Sequence, residues 1–177
     1  MKSLLPLLLA FAATPAFAAA PNVPLTDAHR AAAGFALIGA RIVTDGVEIC
    51  ATLPAPQGTE ARAAVAAWGE RNLPTALAAR RWMDYAAQAM GGGNAAKALA
   101  FRKDMDAKIA AAAGATLQKL LPGMQKQVTG CDTLTAMIAA GKFDLMGNPQ
   151  HAPRLREIAA VDFEALRAKP AAAPAAN

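Results

Sequence analysis

Forty-nine of the 177 residues are alanine, and this excess restricts the fold more than any other feature of the chain. Alanine has the highest intrinsic helix propensity, whereas strands favour β-branched and aromatic side chains. Aromatic residues make up only 5% of the chain. An all-β protein is therefore disfavoured. With 55% hydrophobic and 18% charged residues, the chain is also too apolar for an intrinsically disordered protein. Its length suits one domain. The expectation is an all-α, single-domain bundle of five or six helices.

The N-terminus reads as an export signal. Met1-Lys2 supplies a short positive region, Leu4 to Phe17 an apolar stretch, and Ala16-Phe17-Ala18 a small-x-small cleavage pattern. Pro6, Pro15 and the cleavage site argue against a membrane anchor, which needs about 20 uninterrupted apolar residues. The expected organisation is a signal peptide over 1–18, a helical domain over 19–169 and a disordered Ala/Pro tail over 170–177. No cysteine adjoins the cleavage pattern, which argues against a lipoprotein, and no later segment is apolar enough to span a bilayer. The expected location is the periplasm. The formal charge of +5 includes Lys2, and the remaining bases are scattered, as at Arg80-Arg81 and Arg102-Lys103. No basic-aromatic motif supports nucleic acid as a partner. An envelope protein or an anionic envelope component remains. Much of the charge fits i,i+4 pairs on a solvated surface, such as Arg102–Asp106 and Asp104–Lys108.

Cys50 and Cys131 are the only cysteines. An even count in an exported chain implies a disulfide, and two thiols allow one intramolecular pairing. A redox-active pair would need Cys-x-x-Cys, which is absent.

Along the chain, Thr26 is positioned to cap a first helix with Asp27 in its opening turn. Phe35, Ile38, Ile42, Gly46, Ile49 and Leu53 then recur at helical spacing. A hairpin turning at Asp45-Gly46 competes, but the helical period runs through that turn. A second helix is expected from Thr59 to about Arg71, a third from Pro74 to Met90, and a helix C-cap at Gly91-Gly92-Gly93. Asn94 caps the next helix, whose apolar stripe includes Phe101, Met105, Ile109 and Leu117, with a break near Gly114. A short helix is expected from Asp132 to Ala140, and a final one opening at Asn148-Pro149 or Pro153 and using Leu155, Ile158, Phe163 and Leu166. Trp68, Trp82 and Tyr85 are the largest available core anchors.

Cys50, then Trp68-Gly69-Glu70-Arg71-Asn72, then Cys131 followed by Ile138, Gly141 and Phe143-Asp144-Leu145 resembles a pattern in small exported proteobacterial proteins of unassigned function. The resemblance covers residues 35–146. It implies an exported, helical protein with one bridge, and no activity.

Much familiar chemistry is missing. Apart from Ser3 the chain has no serine, so serine-nucleophile hydrolysis is excluded in the mature protein. Bridged cysteines remove thiol nucleophiles. There is no Cys-x-x-Cys-His, His-Glu-x-x-His or phosphate-loop motif. Exported all-helical chorismate mutases share the size, signal and disulfide, but their converging Arg/Lys and Glu/Gln set does not align here. His29 and His151 are the only near-neutral bases, one near each end of the chain. If the first and last helices are neighbours, these two could ligate copper, zinc or a b-type haem, with Met146 or Met124 as a soft partner. The first mature helix lacks the Met that a Met/His haem bundle would use. The reading is a non-enzymatic periplasmic binding or interaction protein without a cofactor. The alternative is a metal or haem carrier built on His29, His151 and Met146.

Overall fold

The computed structural model describes residues 24–122 and 127–168. The expected signal peptide, the expected tail and Met124 lie outside them. Six α-helices follow in order: α1 Asp27–Cys50, α2 Gln57–Gly91, α3 Ala95–Leu120, α4 Gln127–Ala139, α5 Ala152–Ala159 and α6 Phe163–Ala168. A 3-10 turn, Leu145–Gly147, links α4 to α5. Among the described residues there is no strand, so the all-α bundle is what forms. No described helix is long and apolar enough to cross a membrane.

The helix starts follow local chemistry. Thr26 caps α1 by accepting the His29 amide at 3.4 Å, and Asn94 caps α3 by accepting the Lys97 amide at 3.0 Å. Each satisfies an amide that the first turn leaves without an intrahelical partner. α2 ends where Gly92 and Gly93 take φ of +55° and +82°, a region that other L-residues rarely enter.

Four expectations are corrected. Residues 57–91 form one helix rather than two broken at Asn72-Leu73-Pro74. Proline withholds one hydrogen bond, but Trp68 and Asn72 before it and Ala76, Ala79 and Trp82 after it are all buried in α2. The continuous burial outweighs a local cost of about 3 kcal/mol. α3 likewise runs unbroken through Gly114. α4 begins at Gln127, so Asp132 lies inside it instead of capping it. The final helix is two pieces, α5 and α6, separated at residues 160–162.

α2 is the hub, packing against every other helix. Its inner face joins α1 through small side chains: Ala32, Ala33, Ala36, Ala61 and Ala79 are fully buried. Such faces let axes approach closely but bury little area each. Trp68, Trp82, Met83, Leu134, Ile138 and Leu155 supply the bulk. At Gly46 of α1 a Cβ would lie 2.6 Å from Leu134 Cδ2, which shows how closely α4 presses on α1. The Cys50–Cys131 disulfide forms beside this contact, with an S–S distance of 2.07 Å. It ties the last residue of α1 to the second turn of α4.

Candidate functional site

His29 is 3% exposed, and both its ring nitrogens have partners. Nε2 lies 2.7 Å from Glu157 Oε2 on α5, and Nδ1 lies 2.7 Å from the Thr26 hydroxyl. A carboxylate only accepts, so the ring carries its proton on Nε2. Trp82 lies over the ring with centroids 6.4 Å apart, and its indole N–H donates to the Pro24 carbonyl. Arg154 also bonds Glu157. The hydrogen bond from His29 leads in holding the Glu157 carboxyl below its usual range, against the opposing effect of burial and with help from Arg154. Hydroxyl, imidazole and carboxylate stand in the order of a nucleophilic triad. However, Thr26 Oγ1 also caps α1, and the adjoining cavity, lined by Leu25, Arg30 and Trp82, is only about 20 Å³. The group works as a strut between α1 and α5.

His151 sits at the N-cap of α5 and stacks on Phe35 of α1, centroids 4.6 Å apart. The pairs His29–Glu157 and Phe35–His151 make α1 and α5 antiparallel neighbours. The two histidines therefore stand six residues apart along this pairing, about 9 Å of helix rise. Met146 lies on the 3-10 turn, 37% exposed. Among the described residues no group of three or more His, Cys, Asp or Glu side chains gathers as metal ligands would.

A second polar cluster ties α2 to the segment between α4 and α5. Asn72 is 2% exposed. Its amide nitrogen donates to the Trp68 carbonyl and to Asp144 Oδ1, and its oxygen accepts the Leu145 amide at 2.8 Å. Arg71 grips Asp144 through Nε and Nη2, and Trp68 Nε1 donates to the Phe143 carbonyl at 3.0 Å. Burial pushes the Asp144 carboxyl up, but hydrogen bonds from Arg71 and Asn72 and the Arg71 charge outweigh it and hold the pKa down. Every polar side chain here is used internally.

One surface is different. A groove of about 600 Å³ runs along α2, with Glu70, Leu73, Pro74, Leu77, Ala78 and Arg81 on one wall and Ala159, Val161 and Phe163 on the other. Leu73 is 51% exposed and Leu77 47%. The groove exists because α2 has 35 residues, whereas α5 and α6 have 8 and 6 and cover only part of its flank. Positions 70, 73, 74, 77 and 81 share one helical stripe. Among the described residues neither Glu70 nor Arg81 has an ion-pair partner. The groove floor is aliphatic and its ends carry opposite, uncommitted charges.

Sequence reasoning singled out His29, His151 and Met146 but missed Glu157, Asn72 and Asp144, and it passed over the groove. For Asn72 and Asp144 the signal was present, since both fall within the two segments that carry the family resemblance. Glu157 reads as an exposed residue on its own helix, and its partner lies 128 positions away. Compared with known proteins, the chain matches no family model, no curated protein and no solved structure.

Proposed function

We propose that the chain is a non-enzymatic exported binding protein, which takes a helical segment of a partner protein into the groove between α2 and α5–α6. The observation that carries this reading is the half-exposed Leu73–Leu77 pair in a groove of about 600 Å³. Contiguous exposed apolar surface of this kind marks interaction sites. Amphipathic helices seat their apolar stripe in such grooves through contacts at i, i+3, i+4 and i+7. The leader-like N-terminus, the disulfide and the fully used polar clusters support the same reading. The disulfide suits an oxidising compartment, and the two buried clusters leave no side chain poised for chemistry.

In-cell photo-crosslinking tests it. A photoreactive side chain at Leu73 or Leu77 should yield a discrete crosslinked species, and the same group at Lys108, on α3 and 67% exposed at its side chain, should not. Crosslinking that is equal at all three positions, or absent from both leucines, would overturn the reading.

A further inference from the structure

We infer that the helix received by this groove is α2 of a second copy of the same chain, packed antiparallel across a two-fold axis. The inference rests on the groove reading and adds the partner's identity. Glu70 and Arg81 lie on the same stripe of α2, eleven residues apart, about 16 Å of rise. Both line the groove, and neither has an ion-pair partner among the described residues. Turning one copy end for end places Glu70 opposite the partner's Arg81, and by symmetry Arg81 opposite the partner's Glu70.

This single register also settles the apolar residues between them. Leu73 meets the partner's Ala78, and Leu77 meets the partner's Pro74. Each large side chain faces a smaller one, as interdigitating layers require. A parallel pairing would instead set Glu70 against Glu70 and Arg81 against Arg81, two like-charge contacts that disfavour it. The stripe is thus self-complementary about a point between Thr75 and Ala76. A two-fold contact of this kind uses the same patch on both subunits and closes at the dimer.

Sedimentation equilibrium on the mature, oxidised protein tests the inference with a compensating charge swap. Glu70→Arg and Arg81→Glu should each weaken dimerisation by about tenfold or more, because each creates two like-charge contacts per interface. The double variant Glu70→Arg/Arg81→Glu should recover the wild-type dissociation constant to within about threefold, since the pairs reform with signs reversed. Both residues are exposed, so at concentrations well below the dissociation constant, where every protein is monomeric, all three variants should keep the wild-type thermal midpoint. A wild-type protein that stays monomeric to millimolar concentration would overturn the inference, as would a dimer whose affinity ignores the swaps. If the protein is monomeric while Leu77 still crosslinks a different protein in cells, the groove reading stands and the second-copy inference fails.

Discussion

Replacing Asn72 with leucine removes a buried amide without opening a cavity, since the two side chains branch alike. Three hydrogen bonds are lost. The Leu145 amide, in a residue with no exposed surface, is left without an acceptor. A buried orphan of this kind costs about 1–3 kcal/mol. Asp144 loses one charge-assisted donor but keeps Arg71 and partial hydration, with 29% of its side chain exposed, so this loss sits near the low end of the range for charged groups, about 1.5 kcal/mol. The Trp68 carbonyl loses little, because it keeps its place in the helical ladder. The total is about 2.5–4.5 kcal/mol, a large share of the roughly 5–15 kcal/mol typical of a domain. Arg71→Gln is the control. Its ion pair is 40% exposed at the arginine, so it should cost no more than about 1 kcal/mol. Urea denaturation with the disulfide intact measures both, with an unchanged slope confirming that only stability moved. An Asn72→Leu protein within about 0.5 kcal/mol of wild type, or an Arg71→Gln protein less stable than Asn72→Leu, would refute the reasoning.

Cys50→Ala, Cys131→Ala and the double variant should be equally destabilised, by about 2–5 kcal/mol, because each opens the same loop of 81-residue separation; two titratable thiols in native exported protein would contradict this. Gly130→Ala should destabilise by about 1–3 kcal/mol by overpacking, although alanine is the better helix former. Its Cβ would lie 2.6 Å from the Leu120 carbonyl oxygen, where the backbone cannot yield as a side chain would; a stabilised variant in the same urea assay would be the wrong outcome. Asp144 and Glu157 have lowered pKa values in the folded protein, so their stabilisation is complete above the ordinary carboxylate range, about pH 4–5, and is lost as pH falls through the depressed values. Unfolding followed from pH 6 to pH 2 should show this acid limb, shallower in Glu157→Gln, whereas stability that rises on acidification would contradict the sign.

The parts of the fold that were legible in the sequence are those set by local chemistry. The Thr26 and Asn94 caps, the glycine stop at residues 91–93 and the helical period through Asp45-Gly46 all act within a few residues. The uninterrupted α2 was not legible, because proline punctuates a helix locally and only tertiary burial on both sides carries the chain through residue 74. The start of α4 was not legible either: Asp132 has the side chain of a cap, but the helix already runs from Gln127 through Cys131. The pairing of cysteines needed only their number and the expectation of an oxidising compartment. The buried clusters join residues more than 70 positions apart, where spacing carries no information, so Glu157 looked like solvent-facing charge. Contact between the first and last helices entered only as a condition for His29 and His151 to meet, and nothing local could supply the six-residue offset that separates them. The groove was illegible because it arises from unequal helix lengths, with Leu73 and Leu77 exposed only because α5 and α6 stop short.

The central claim is that the Leu73–Leu77 face is covered by protein when the chain is in its working surroundings. Hydroxyl-radical footprinting, read by mass spectrometry, tests it within one molecule. Met90 and Leu99, 60% and 53% exposed and remote from the groove, serve as internal references. Protein labelled in concentrated periplasmic extract should show Leu73 and Leu77 oxidised several-fold less, relative to Met90 and Leu99, than the same protein labelled pure and dilute. Equal relative oxidation of the two leucines under both conditions would contradict the account.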